Sequence, residues 1–287
     1  MSSIRFDWYS ATVDRTPGPS VVTDLMELFG LGGSPSVEAT PHKRLNHYDN
    51  ATAIRDAQGQ LCIVRWGGNG GGVSVEANGP SAVPVSGWLR SEHPNHRVTR
   101  VDACIDRDAP QLFERFVPHL LTIADEHRVK VDHQGDWHRG QDGRTLYLGG
   151  KQSEKRLRCY EKGLQLAAEG HPQASPSLVR LEAVVRPDER EAKHRAATLT
   201  PLECFGCSPW LIAALDRFAD LDAPAVELRR HTKSTLDRAF SFMCLQYRRA
   251  MEHRLQRAGG DPAEFVADVL TEWKAQDEAK ELLRRVA

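Results

Sequence analysis

No run of 18 apolar residues occurs in this chain of 287, so no membrane-spanning helix is expected. The opening stretch "MSSIRFDWYSATVD" lacks a basic head followed by an apolar core, so no secretory leader is read and a cytoplasmic location is expected. Net charge is only −1, so any case for a nucleic-acid partner has to come from local patches. The six cysteines, at 62, 104, 159, 204, 207 and 244, are scattered, which fits reduced thiols better than a disulfide framework. Cys204-Phe-Gly-Cys207 is a lone CxxC without the second pair that a structural zinc would need. The glycine run "GGNGGG" (67–72) lacks the Lys-Ser/Thr ending of a phosphate-binding loop, and an alternating stretch follows it; it reads as a hairpin connection. No Ser/His/Asp arrangement with a nucleophile elbow is present.

What is present is a series of strands followed by helices. "IRFDWYSATV", "LCIVRW", "VSVEANG", "RVTRVDACID" (97–106), "RTLYLGG" (144–150), "KRLRCYEKG" (155–163) and "LVRLEAVVR" (178–186) all alternate as strands do. A helix is expected over 110–127, interrupted at Pro118, and helix returns over 188–220 with a break near "CSPW". The pattern predicts an α+β fold: a largely antiparallel sheet with helices packed on one face and a helical C-terminal region. The expected division is residues 1–195 as the α+β domain and 196–287 as the helical region.

"RLRCYEKG" raises the chemical question. On a strand, Arg158, Tyr160 and Lys162 share one face and Leu157 and Cys159 the other. The same sorting puts Arg100, Asp102, Cys104 and Asp106 on one face, and Arg180, Glu182 and Arg186 on one face of "LVRLEAVVR". If these strands are neighbours, their polar faces merge into a surface of carboxylates, cations and tyrosines. A solvated sheet face explains such a surface without function, although Asp in a strand centre is unusual. Asp102 and Asp106, four residues apart, are separated by roughly 13 Å along a strand. They cannot readily hold one ion together, so one of them is expected to share a site with Glu182. All-oxygen ligation suits Mg²⁺ or Mn²⁺. A cationic setting is expected to lower the Tyr160 pKa. The segment 131–140, with Asp132, His133, Asp136 and His138, reads as a polar loop, and Tyr147 is the main rival nucleophile.

In order along the chain, "TRVDACID", "TLYLGGKQSEKRLRCYEKG" and "LVRLEAVVR" resemble the blocks of the replication initiation factor family, which includes rolling-circle initiators of plasmids and filamentous phages. The resemblance implies a nicking–closing enzyme whose tyrosine attacks a phosphodiester at the origin and forms a 5′-phosphotyrosine link. Carried onto this chain, the nucleophile is Tyr160. Arg158 and Lys162 neutralise phosphate charge, and Asp102 or Asp106 with Glu182 binds the metal. Arg100 and Arg180 are expected on DNA. Origin DNA, host helicase and polymerase are the implied partners, no membrane is among them, and a homodimer is compatible with the pattern. The other large class of initiators uses a His-hydrophobic-His triplet, which this sequence lacks. Two alternatives stay open: a DNA-binding accessory protein of the same fold without nicking, and a metal-dependent nuclease that uses water.

Charge is uneven in the C-terminal region. Residues 227–257 hold eight Lys/Arg, among them Arg229, Arg230, Lys233, Arg248 and Arg249, against three acids. Leu236, Phe240, Met243, Tyr247 and Met251 recur at helical spacing, which predicts one amphipathic helix with a basic face. That face is either solvated or a duplex DNA contact. Gly259–Gly260 ends it, and Asp261-Pro262 with Glu264 opens a last helix expected to reach about residue 285.

Overall fold

The order of strands across the sheet explains how the polar residues meet. The computed structural model describes residues 3–31, 37–42, 48–139, 143–171, 174–228 and 235–286. The first half runs β1 (Arg5–Val13), α1 (Gly18–Leu31), β2 (Glu38–Pro41), β3 (Tyr48–Asp56), β4 (Gly59–Gly68), β5 (Val73–Asn78) and α2 (Ala82–Glu92). The second runs β6 (Arg97–Asp108), α3 (Leu112–Glu126), β7 (Val131–Gly135), β8 (Arg144–Leu148), β9 (Lys155–Tyr160), α4 (Lys162–Ala168), β10 (Leu178–Val185) and α5 (Arg190–Ala196). The strands form one ten-stranded sheet in the order β2-β3-β4-β5-β1-β6-β10-β9-β8-β7. Every pairing is antiparallel.

The two halves repeat one topology. Each starts with a central strand and a helix, jumps to the sheet edge, returns inward strand by strand, and closes with a helix; α4 is the insertion in the second half. No long repeat is evident in the sequence, yet short traces remain. "RFD" in β1 answers "RVD" in β6, and "VSVEA" in β5 answers "VRLEA" in β10.

Apolar faces dictate the packing. Val101, Ala103 and Ile105 of β6, Leu157 and Cys159 of β9, and Leu181, Ala183 and Val185 of β10 join one core. Leu25 of α1, Val85 and Leu89 of α2, Phe113, Phe116 and Leu120 of α3, and Ala192 and Ala196 of α5 fill it from the helical side. Each fully buried Leu or Phe contributes about 1.5–3 kcal/mol. α6 (Pro201–Phe205) and α7 (Pro209–Ala219) add Phe205, Leu211, Leu215 and Phe218 to the same core. The first compact unit therefore extends to Arg229, beyond the boundary expected after residue 195. The helix expected to break at Pro118 runs through it as α3. The glycine run is a hairpin connection: Gly67, Gly68, Gly70 and Gly71 have φ of 75°, 68°, 71° and 80°, conformations costly for other residues.

Residues Arg230–Ala287 form the second unit. The single basic helix expected there is two helices, α8 (Thr235–Gln246) and α9 (Arg248–Arg257), because the backbone leaves the helical region at Tyr247 (φ −103°, ψ 14°). α10 (Pro262–Val286) starts as expected, with Asp261 Oδ1 accepting from the Ala263 N–H at 2.8 Å. Phe240, Met243, Met251, Phe265, Leu270 and Trp273 line an apolar cleft of about 600 Å³ within this unit.

Candidate active site

Directly opposed residues of antiparallel strands share a face. β10 sets Glu182 against Cys104 of β6 and Arg158 of β9, and sets Arg180 against Asp106 and Tyr160. β9 in turn sets Arg158 against Tyr147 and Tyr160 against Thr145 of β8. The polar residues therefore do form one surface, on the side of the sheet away from the core. The β8–β9 turn is fixed by Gly149 (φ 93°), where a Cβ would lie 2.7 Å from the Lys155 carbonyl oxygen.

β1 adds a residue that the sequence pattern does not single out. Phe6 pairs with Ala103 and Trp8 with Asp102, so Asp7 is the extra residue of a β-bulge. Its Oδ1 accepts from Arg180 Nη1 at 2.7 Å. The recurrence of Arg-x-Asp at 5–7 and 100–102 is the signal that could have found it.

The carboxylates divide into two sets. Asp102 and Glu182 are each 1% exposed. Arg100 Nε donates to Asp102 Oδ1 at 2.9 Å, and its guanidinium lies 4.1 Å from the Trp8 ring centroid. Glu182 Oε1 accepts from Arg158 Nη1 at 2.7 Å, while the buried Oε2 receives no hydrogen bond. Burial pushes the Glu182 carboxyl up to about 8; the Asp102 carboxylate beside it adds to the rise, and Arg158 opposes it. Asp106 stands apart from this pair. It accepts from Arg5 Nη2 at 2.6 Å and from Arg180 Nε and Nη2 at 2.6 and 2.9 Å. Burial alone would raise its pKa, but the bonds to Arg180 and Arg5 outweigh that and hold it below the usual carboxylate range. Glu182 thus has Asp102 as its neighbour, and Asp106 is neutralised by cations. Among the described residues, no group of three or more His, Cys, Asp or Glu side chains is arranged to hold a metal. An ion at Asp102 and Glu182 would take its remaining ligands from water and phosphate. The chemistry fits Mg²⁺ or Mn²⁺, which bind through one or two carboxylates in this way, and the buried Glu182 Oε2, which lacks a hydrogen bond, is the atom that would meet the ion in exchange for the carboxyl proton.

Tyr160 ends β9 and is 6% exposed. The Arg158 guanidinium lies 5.3 Å and Lys162 Nζ 5.9 Å from its ring centroid. The expectation that cations lower its pKa is corrected. Burial dominates and raises it, Glu182 and Asp7 raise it further, and Arg180 and Arg158 offset only part. The resting phenol is protonated. Lys162 is not on the strand: the chain leaves β9 at Tyr160, and Lys162 is the first residue of α4. Burial lowers its pKa, and nearby Arg180 adds to the effect. Arg180, expected on DNA, is 6% exposed and held between Asp106 and Asp7. Arg100 is likewise engaged by Asp102.

The rival groups are committed elsewhere. Tyr147 donates its hydroxyl to Gln134 Oε1 at 2.7 Å, under the Arg156 guanidinium at 3.8 Å from its ring centroid. The polar loop expected over 131–140 begins as edge strand β7, with Asp132 3.6 Å from Arg156. Beyond it, Asp136 Oδ1 accepts from the N–H groups of His138 and Arg139. Cys204 and Cys207 lie in the apolar core. In the second unit, Arg248 and Arg249 are exposed on α9, Arg248 pairing with Glu252 at 2.8 Å. Arg229, Arg230 and Lys233 lie outside the described residues.

The polar surface, from the Arg-x-Asp strand to the Arg-x-Glu strand, falls within one family signature. Residues 96–202 match the replication initiation factor family. The match bears out the resemblance carried by the motifs, and it contains Tyr160, Lys162, Asp102 and Glu182 but not Asp7. The chain is also similar to a solved rolling circle replication initiator protein from Geobacillus stearothermophilus. The two are 20% identical, with 84% of this chain and 95% of that one covered and a TM-score of 0.50. At that identity the likeness is one of fold. No curated protein matches the chain. Among the described residues, no helix is long and apolar enough to cross a membrane.

Proposed function

We propose that this protein initiates rolling-circle replication by nicking and closing origin DNA through Tyr160. The observation that carries the proposal is the placement of Tyr160 beside Arg158 and Lys162, with Arg158 linking it to the buried Glu182, inside the family-matched segment. In the nicking step the phenol gives up its proton to solvent and its oxygen bonds to the scissile phosphorus; the P–O3′ bond breaks, and the departing oxygen takes a proton from solvent to become the 3′-hydroxyl that primes synthesis. Closing reverses these bonds. Arg158 and Lys162 face the phosphate and offset its growing charge. Mg²⁺ or Mn²⁺ held by Asp102 and Glu182 would draw charge from the phosphoryl oxygens and favour loss of the phenolic proton. The protein's part is to keep the phenol dry and protonated until substrate arrives.

Incubation with supercoiled replicon DNA and Mg²⁺ or Mn²⁺, followed by a denaturing gel, tests the proposal. Relaxed DNA covalently bound to protein supports it. Cleavage without an adduct favours a water-using nuclease, and binding without cleavage favours an accessory protein. Origin DNA is the expected partner, with host helicase and polymerase acting on the nicked product.

The second unit supplies a duplex contact in this proposal. Replacing Arg248 and Arg249 with Ala is expected to weaken duplex binding and to reduce the salt slope by roughly one unit for each phosphate no longer neutralised. Cleavage of a single-stranded site oligonucleotide should be spared. Affinity and salt slope measured between about 50 and 200 mM salt decide it, and unchanged values would mean that the α9 face is merely solvated.

A further inference from the structure

Arg5, Asp106, Arg180 and Asp7 form a chain of ion pairs across three strands, with no net charge. Its centre is Arg180, directly opposite Tyr160 in the β10–β9 ladder. Each nitrogen of its guanidinium donates to a carboxylate: Nε and Nη2 to Asp106, Nη1 to Asp7. A guanidinium so placed is poorly suited to gripping DNA. Nor is stability a sufficient reason for it, since buried ion pairs seldom outperform apolar side chains of the same volume. What the placement does achieve is a fixed cation next to the Tyr160 phenol. Among the groups around that phenol, Arg180 is foremost in favouring the anion.

Asp7 reaches this position only because β1 is bulged. The bulge lets both Phe6 and Tyr9 stay in the core although they are three residues apart, and it gives the residue between Phe6 and Trp8 to the polar face. Asp is a poor strand residue, and packing alone does not ask for a carboxylate here. Asp106 holds one edge of the planar Arg180 guanidinium, and Asp7 holds the opposite corner, so the plane is fixed from two sides rather than hinged on one carboxylate.

We infer that Asp7 is a positioning residue: from the β1 bulge it anchors Arg180 Nη1, completes the grip begun by Asp106, and so holds that cation against the Tyr160 phenol. The inference rests on the proposal that Tyr160 is the nucleophile. In this reading Asp7 acts through Arg180, to which its carboxylate is hydrogen-bonded.

Two variants separate anchoring from simple charge. Asp7→Ala removes the anchor and the charge together. Asp7→Asn keeps an oxygen acceptor for Nη1 and removes only the charge. With a single-stranded origin oligonucleotide and Mg²⁺, Asp7→Ala is expected to lower kcat about tenfold or more with KM within roughly twofold. The rising limb of its kcat–pH profile should move to higher pH, because the phenol loses its aligned cation. Asp7→Asn should recover most of kcat, and its limb should stay or move to lower pH, because a negative charge has gone while the cation remains. Limbs shifting downward together, or an unchanged kcat in Asp7→Ala, would overturn the inference. NMR exchange of the Arg180 guanidinium protons reads the anchor without catalysis. Exchange should be slow in the parent and in Asp7→Asn and faster in Asp7→Ala; equal exchange in all three means that Asp7 anchors nothing. If nicking survives Tyr160→Phe, the nucleophile assignment fails, and the exchange measurement still decides whether Asp7 holds Arg180.

Discussion

Tyr160→Phe is expected to abolish nicking and covalent attachment while the fold and DNA binding persist. The substitution removes one oxygen from a ring that is 6% exposed, so packing changes little. The reaction loses its nucleophile, and a fall of roughly a thousandfold or more in nicking rate follows. Because burial, Glu182 and Asp7 hold the parent phenol protonated, the parent rate should climb as pH rises through neutrality. Tyr147→Phe should be far milder. It loses the bond to Gln134 Oε1, worth about 1 kcal/mol of stability, and no reacting group. Mass spectrometry of the protein–DNA adduct should place the nucleotide on the peptide containing Tyr160. An adduct on Tyr147, or undiminished nicking by Tyr160→Phe, would assign the nucleophile elsewhere.

The strands of the polar surface are legible in the sequence because alternation survives in them. "VTRVDACID", "RLRCYEKG" and "LVRLEAVVR" each sort cleanly into an apolar and a polar face, and the register of β6, β10 and β9 merges the polar ones. Where alternation fails, legibility fails. β1 carries a bulge after Phe6, so parity along "RFDWYS" does not report which side chains share a face, and Asp7 stays hidden. Arg-x-Tyr-x-Lys continues the strand pattern as far as Lys162, whereas the chain has already turned into α4. α1 and the strands β2 and β3 carry no signal comparable to the motif strands. The repeat of one topology in the two halves is visible in the order of strands but hardly in residues, where only the "VSVEA"/"VRLEA" kind of trace is shared. Charge effects are the least legible. Proximity of Arg158 and Lys162 suggests a lowered tyrosine pKa, but the sign depends on burial, which the sequence of one strand does not report.

Glu182→Gln is expected to make the metal-free protein more stable and to remove its activity. Burial beside Asp102 pushes the Glu182 carboxyl up to about 8 from its ordinary value of about 4.5. Between those values the folded state binds more protons than the unfolded state, so stability contributed by this group is full below about pH 4.5 and declines as pH rises towards 8. Glutamine is neutral throughout. Its oxygen still accepts from Arg158, and its amide can donate to Asp102. At about pH 8 without divalent ions the variant should therefore melt several degrees above the parent, on the order of 2–4 kcal/mol, and that difference should shrink towards about pH 5. Asp102 and Glu182 would hold a divalent ion in the parent, which would relieve the same repulsion in exchange for the carboxyl proton. Millimolar Mg²⁺ or Mn²⁺ should raise the parent melting temperature more at about pH 8 than at about pH 5, and should leave Glu182→Gln nearly unmoved. Nicking by the parent should cease in EDTA and return on adding the ion, while the variant should stay at least about a hundredfold slower. Full nicking by the parent in EDTA would show that the two carboxylates serve some purpose other than holding a cation. Equal stabilisation of parent and variant by Mg²⁺ would place the ion away from Glu182.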